Sequence, residues 1–270
     1  FNHLSASIAK TLSRQSPQGR LYELDSPLDD LTPNGKAFTP TSLENLLNSR
    51  RTTIRGFLNL TQCRSIGNSP AINLKLECLL SQLISNFCPD SSFETDLLNH
   101  RAQYQEKAGS FNLKRFPGGS MDIELLAQVG ILTGSNAVQP QTTSTVNQLE
   151  FLRVNGMLNN EQSKLLSDSY RFLRVIESRL RLMDHVDRHS LPLEENTDPF
   201  KIEKENPLPK YRTQGEIDRQ IELTALQHQL ARLMHYDQFQ PLVEDIESCR
   251  HQIRELVLKW IDQQSSSWHH

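Results

Sequence analysis

Long apolar runs are missing from this chain of 270 residues, and so is an excess of charge of either sign. No run approaches the roughly 20 apolar residues that a membrane-spanning helix needs, and the first residues have no apolar core typical of a signal peptide. A net charge of -3 gives no electrostatic reason to expect a nucleic acid as partner. We therefore expect a cytoplasmic protein that binds neither membranes nor nucleic acids.

Cysteine is scarce and shows no pattern. The four cysteines, Cys63, Cys78, Cys88 and Cys249, contain no Cys-x-x-Cys pair, which favours free thiols in a reducing cytoplasm over disulfides or a metal site. Hydrophobic residues make up only 36% of the chain, yet this length still permits a core in one large or two smaller domains. The chain does not begin with methionine, which suggests that it is part of a longer protein.

The most informative stretch runs from Phe111 to Gln128. It breaks at Pro117-Gly118-Gly119 and continues into a strongly apolar segment. We predict a helix that begins at Ser120, whose hydroxyl would cap a free backbone amide. Asp122 would then lie in the first turn, where its charge meets the positive end of the helix dipole. Apolar residues cover so much of this helix that we expect it to be buried at the centre of its domain.

The first section, residues 1–69, predicts only short elements. A helix at residues 2–14 precedes a short strand from Arg20 to Asp25, which is rich in bulky side chains that favour strands. A proline-rich loop and a brief helix follow, and Phe57 to Ile66 are predicted to form a second strand. Because this section has too few strands for a complete α/β domain, we interpret it as the final part of one.

From residue 70 onward the sequence changes to long helical patterns. Apolar residues recur there at spacings of three and four, which is typical of amphipathic helices. The patterned segments are residues 72–87, 93–104, 146–152, 165–183, 217–234 and 242–260. Helices of this length with short links form a bundle, so the predicted fold class is mainly α, a helical bundle preceded by a partial α/β domain.

Three motifs, in a fixed order, resemble those of a known family. Gly19 to Asp25 reads Gly-Arg-Leu-Tyr-Glu-Leu-Asp, and Gly118 to Gln128 has paired glycines, then Asp-Ile-Glu, then a Gln four residues after the Glu. Tyr170 to Leu180 reads Tyr-x-x-Leu-Arg-x-x-Glu-x-Arg-Leu. Together these motifs resemble the glutamine synthetase adenylyltransferase family, also called adenylyl-removing enzyme.

The resemblance implies an organisation and an activity. Residues 1–69 would be the C-terminal part of a nucleotidyltransferase domain, and residues 70–270 would be the helical bundle domain behind it. The family transfers AMP from ATP to a tyrosine of glutamine synthetase, or removes it by phosphorolysis, in nitrogen regulation. Mg²⁺ and ATP are its cofactors, and a PII signalling protein controls it. The bundle would position the protein substrate or relay the signal.

Asp25 is the candidate catalytic and metal-binding residue. The family holds Mg²⁺ with two carboxylates of a Gly-Ser-x-x-Asp-x-Asp segment and a third at the position that Asp25 matches, whereas the first two have no counterpart in this chain. The family continues into Asp-x-Arg-Leu-Arg-Pro, whose arginines suit phosphate oxygens. Pro27 and Asp29 stand at those two arginine positions, so charge that would bind phosphate is lost.

A second group of candidates belongs to the central motif: Gly118, Gly119, Asp122, Glu124 and Gln128. Their structural interpretation is a turn with positive φ, a capping charge and a buried polar network that ties the loop to the bundle. Their functional interpretation is an interdomain contact that reaches the nucleotide pocket. A phosphate cradle at the start of the helix is a weaker alternative.

Two further groups of charged residues have a plain structural interpretation. Glu177, Arg179 and Arg181 predict a solvated or interhelical set of ion pairs. His185 and His189 are four residues apart, but without a third ligand nearby they make a poor metal site.

Two hypotheses for function therefore remain open, beside a third, an unrelated helical scaffold, that would be favoured if Tyr22 to Asp25 did not form a strand. The first is an adenylyltransferase-like enzyme of glutamine synthetase regulation. The second is a catalytically inactive regulatory or interaction module that keeps the family fold. Binding of Mg-ATP and the appearance of AMP on glutamine synthetase would distinguish the two.

Overall fold

The computed structural model describes residues 53–65, 69–106, 111–134, 143–183, 189–193 and 214–268, together with a few positions before residue 53. These residues are mainly α-helical, which confirms the mainly α, helical-bundle part of the predicted fold class. The helices are α1 (Ile54–Leu60), α2 (Pro70–Ser85), α3 (Phe93–Glu106), α4 (Ser120–Thr133), α5 (Thr145–Val154), α6 (Asn160–Leu182), α7 (Gln214–Leu233) and α8 (Phe239–Trp268). Within the described residues, no helix is long and apolar enough to cross a bilayer.

The first section contains one very short hairpin. Strand β1 (Gln15–Ser16) pairs antiparallel with β2 (Gly19–Arg20), so that Gln15 lies opposite Arg20. The remainder of the predicted strand, as far as Asp25, lies outside the described residues. The partial α/β domain therefore stays a prediction.

The predicted strand from Phe57 to Ile66 is wrong, because its first four residues belong to α1 and its other described residues form a turn and irregular structure. The Thr53 hydroxyl accepts a hydrogen bond from the Gly56 amide at 3.3 Å, which caps the first turn of the helix. Leu58 and Leu60 are both buried. Two buried residues at a spacing of two resemble strand alternation in the sequence, whereas the cap at Thr53 is a helical signal.

The central helix agrees with its prediction. Helix α4 begins at Ser120, and the residues on both of its predicted apolar stripes are almost completely buried. These residues are Ile123, Leu125, Leu126, Ala127, Val129 and Leu132. A helix buried on this much of its surface fixes the position of the loop that enters it.

Other helix ends lie close to their predicted positions. The sequence predicts Asn160 as the cap of α6, whereas the Asn159 side chain, one residue earlier, accepts from the Gln162 amide and forms a capping box. Gly156 follows α5 with a φ of +76°, as expected of a residue that ends a helix. The sequence predicts Pro241 at the first position of α8, and the helix begins two residues earlier, at Phe239.

By its internal contacts the chain divides into two compact units. Unit 1 comprises Phe1–His100, Ala127–Leu158 and Trp268–His270, and unit 2 comprises Arg101–Leu126 and Asn159–Ser267. In unit 1, neighbouring aromatic rings lie with their centroids 4.9 to 5.3 Å apart, in the order Phe57, Phe87, Phe93 and Trp268. The predicted boundary between residues 69 and 70 is a different division and stays a prediction.

Candidate functional site

The start of helix α4 is built from the loop that precedes it. The amides of Ser120 and Met121 donate to the carbonyls of Leu113 and Lys114, at 3.1 and 3.0 Å, and the Asp122 amide donates to the Gly119 carbonyl. The Ser120 hydroxyl is buried and has no hydrogen-bond partner among the described residues. The predicted cap by Ser120 is therefore wrong, and these three amides are not available to a phosphate group.

Asp122 joins the helix to the turn and to helix α3. Its carboxylate accepts two hydrogen bonds from Arg101, from Nε at 2.8 Å and from Nη2 at 2.7 Å. Its Oδ2 also accepts from the Gly118 amide at 2.8 Å, and Oδ1 accepts from the Tyr104 hydroxyl at 3.4 Å. We call these four residues the Asp122 cluster. The Asp122 side chain is only 1% exposed, so its oxygens are already engaged inside the protein.

The electrostatics of the Asp122 cluster favour a charged pair beside a neutral phenol. Burial opposes the charge of Arg101, but the hydrogen bonds and charge of Asp122 outweigh it and raise the pKa of that guanidinium. Burial and the nearby Asp122 carboxylate raise the pKa of Tyr104 far above its ordinary value. A bidentate arginine–carboxylate pair fixes both distance and direction, so the cluster holds the turn in one geometry.

The two glycines of the turn are needed for different reasons. Gly118 has a φ of +81°, and a Cβ there would overlap the carbonyl oxygen of Arg250. Gly119 has no positive φ, but a Cβ there would lie 2.6 Å from the Lys114 carbonyl oxygen. The predicted positive φ thus applies to Gly118, while Gly119 permits a close approach of the backbone.

Glu124 and Gln128 lie on one face of α4, as their spacing requires. The Tyr170 hydroxyl of helix α6 donates to Glu124 Oε1 at 3.0 Å. Burial raises the pKa of the Glu124 carboxyl above its ordinary value. Gln128 is half-buried. The proposed interdomain role of these two residues stays a prediction.

Glu177 forms a buried ion pair, and its partners differ from the predicted ones. Arg174, on the same helix, donates to Oε2 at 2.6 Å, and His189 Nδ1 lies 3.3 Å from Oε1. Burial alone would raise the pKa of Glu177, but the hydrogen bond with His189 and the charge of Arg174 outweigh it and lower that pKa. The predicted solvated or interhelical set is therefore wrong, since Glu177 is only 1% exposed and Arg181 faces solvent.

The segment after α6 also contacts the loop before α4. Asn112 and Ser190 form an antiparallel bridge, in which the Leu113 amide donates to the His189 carbonyl at 2.6 Å. The Leu191 amide donates to the Phe111 carbonyl at 3.1 Å. From the sequence, residues 185–212 are predicted to be a long surface loop or an ordered crossover, and no local signal marks this pairing.

The metal predictions are not tested by this geometry. Asp25, Pro27, Asp29 and His185 lie outside the described residues. Among the residues that the structure does describe, no group of three His, Cys, Asp or Glu side chains could hold a metal ion.

Comparison with family models gives a match to part of the chain. A family model described as GlnD PII-uridylyltransferase matches residues 93–200, a segment that includes the Asp122 cluster and the Tyr170–Leu180 motif. The description names a nucleotidyltransferase. Over this segment the chain is therefore similar to a nucleotidyltransferase family.

The curated relatives are more particular. The bifunctional glutamine synthetase adenylyltransferase/adenylyl-removing enzyme of Nitrosococcus oceani is 25% identical over 206 residues, which cover 70% of this chain and 20% of the relative. The enzyme of the same name from Acinetobacter baylyi is 26% identical over 63% of this chain. The one from Xanthomonas axonopodis pv. citri is 34% identical over 82 residues. The resemblance predicted from the sequence is confirmed, and the chain matches about a fifth of the length of the first two relatives.

Proposed function

We propose that this chain is the helical part of a glutamine synthetase adenylyltransferase-like protein, which transfers AMP between ATP and a tyrosine of glutamine synthetase or removes it by phosphorolysis. The observation that carries this proposal is the similarity over 206 residues to an enzyme of that name. The central motif from Gly118 to Gln128 supports it, because Asp122 is buried in the first turn of helix α4, where its carboxylate accepts from the Gly118 amide.

The proposal gives the described helices a positioning task. The oxygens of Asp122 are engaged by Arg101 and Gly118, so this motif holds backbone in place and leaves the chemistry to another part of the protein. Asp25 would supply one Mg²⁺ ligand for ATP. The helical bundle would orient glutamine synthetase or relay the signal of a PII protein in the cytoplasm.

A second candidate function is a regulatory or interaction module without catalysis. It is favoured by one specific feature, since Pro27 and Asp29 replace two arginines that the resemblance leads us to expect. Aspartate at such a position would repel a triphosphate. A module of this kind would still bind its protein partners through the helical bundle.

The test is AMP transfer by the purified full-length protein, with Mg²⁺, ATP labelled at its α-phosphate and glutamine synthetase. If the enzyme proposal is right, wild-type protein labels glutamine synthetase, and Asp25→Asn lowers the rate about a hundredfold, as expected when a metal that stabilises transferring phosphate is lost. The matched control is Asp30→Asn, a neighbouring acid at a position where the family has proline.

Each other outcome decides between the candidates. No labelling by the wild-type protein, with binding of glutamine synthetase retained in calorimetry, supports the inactive module. Labelling that is equally fast in Asp25→Asn contradicts the assigned role of Asp25. Absence of both labelling and binding contradicts the two candidate functions together.

A further inference from the structure

Arg250 is a charged residue inside the core of unit 2. It lies on helix α8 between the buried residues Ile246 and Ile253, and it is itself only 2% exposed. Its Nη1 donates to Glu247 Oε1 at 2.7 Å. Its Nε and Nη2 are buried and have no hydrogen-bond partner among the described residues. The guanidinium is therefore only partly satisfied.

Such an arrangement weakens the folded state. A buried donor without an acceptor loses its hydration and gains nothing in return, and burial lowers the pKa of the Arg250 guanidinium to about 10. Replacing buried charges by apolar side chains of similar size is often neutral or stabilising. Global stability is thus a poor explanation for an arginine at this position.

The contacts of Arg250 suggest a different explanation, because both ends of the residue meet the same turn. The guanidinium carbon lies 3.6 Å from the ring centroid of Phe116, close enough for a cation–π contact. The backbone carbonyl oxygen of Arg250 lies so close to Gly118 that a Cβ on this glycine would overlap it. One residue of α8 therefore contacts the turn at its first and third positions.

We propose that Arg250 is a positioning residue, which fixes the Phe116–Gly118 turn from helix α8, while Asp122, paired with Arg101, fixes it from helix α4. The Asp122 carboxylate accepts from the Gly118 amide, and the Arg250 carbonyl lies against the same glycine. The geometry at the start of α4, at Ser120, then depends on Arg250 of α8, which is 130 residues later in the chain (250 − 120). This inference concerns conformation and does not rest on the proposed function.

The test is amide hydrogen exchange by NMR on the full chain, in wild type and in Arg250→Met. The Gly118 amide is bound to Asp122, and the Gly119 amide is bound to the Phe116 carbonyl at 2.8 Å, so both report on the turn. We expect exchange at these two amides to accelerate about tenfold, since a desolvated cation–π contact is lost. We expect the urea midpoint of unfolding to stay unchanged or to rise.

Matched variants separate a local effect from a general one. Arg254→Met removes an exposed arginine one turn later on α8 and should change neither measurement. Arg250→Lys keeps the charge without the planar group that stacks on a ring, so it should restore only part of the protection. Phe116→Leu removes the contact from the other side, and its effect should not add to that of Arg250→Met.

Three results would overturn the proposal. The first is unchanged exchange at Gly118 and Gly119 in Arg250→Met. The second is acceleration that is equal at amides of helix α5, which would mean a general loss of stability. The third is an Arg250→Met chain that does not fold, combined with a Phe116→Leu chain whose turn exchanges at the wild-type rate.

Discussion

The two compact units bury different kinds of polar side chain. Among the described residues, the buried polar side chains of unit 1 are all uncharged, namely Thr61, Thr145 and Gln148. Unit 2 buries four charged ones, namely Arg101, Asp122, Glu177 and Arg250. Unit 1 relies instead on leucines and on a series of aromatic rings.

The difference between uncharged and charged buried side chains indicates how each core contributes to the structure. Apolar packing is not directional and tolerates repacking. A buried ion pair has a strict geometry, and its desolvation offsets much of its attraction. In unit 2 the charged side chains contact the turn before α4 or the segments beside it, so we infer that they specify the geometry of this turn at some expense of stability.

The largest expected effect follows from removing one charge of a buried pair. Asp122→Asn leaves Arg101 charged and without its carboxylate, which should lower the free energy of unfolding by about 3–5 kcal/mol. Urea unfolding measures this loss. Asp168→Asn is the control, because its pair with Arg171 is exposed and should change stability by less than about 1 kcal/mol. A loss in Asp122→Asn as small as that of the control would contradict the comparison.

A smaller effect, which depends on pH, is expected at Glu177. Its pKa is lowered in the folded state, so it stabilises the fold above the ordinary value of 4.5, and this contribution is lost as the pH falls through the folded-state pKa. Glu177→Gln should therefore lose about 1–3 kcal/mol at neutral pH and differ less from wild type in acid.

A variant of unit 1 serves as the control for Glu177→Gln. Leu149→Ala removes a fully buried side chain and should lose about 2–5 kcal/mol. Because no charge changes, this loss should be the same on both sides of pH 4.5. Urea unfolding at neutral and acidic pH measures both variants, and an equal pH dependence in the two would contradict the distinction between the units.

The smallest effect has the opposite sign. Burial raises the pKa of Glu124, so its ionised form disfavours the folded state at neutral pH. Glu124→Gln keeps an oxygen for the Tyr170 hydroxyl and should raise the free energy of unfolding by less than about 1 kcal/mol. The gain should vanish below pH 4.5, where the carboxyl is protonated in both states. A loss of stability at neutral pH would show that the charge of Glu124 is needed.

Local sequence signals predicted the helices of this protein and little of its polar interior. The paired glycines, the start at Ser120 and the two apolar stripes of α4 could all be predicted, because periodicity and turn chemistry act between near neighbours. The strand prediction for Phe57 to Ile66 failed because apolar residues at a spacing of two, Leu58 and Leu60, resemble the alternation of a strand over so short a stretch.

The partners of the buried charges could not be predicted. Arg101 and Asp122 are 21 residues apart in the sequence, and Glu177 and His189 are 12 apart. Such pairs depend on how helices pack, which no local pattern contains. A signal did exist for Arg250, which is a charged residue at a core position of an apolar helix pattern. Such a signal shows that the residue is unusual, but it does not identify the residues that Arg250 contacts.

The most direct test of the central claim is a double-mutant cycle on Arg101 and Asp122, measured by urea unfolding of wild type, Arg101→Met, Asp122→Asn and the double variant. If the pair specifies the turn as described, the double variant loses less than the sum of the single losses, with a coupling of about 1–3 kcal/mol. Losses that add within about 0.5 kcal/mol would contradict the account, because the two side chains would then act independently.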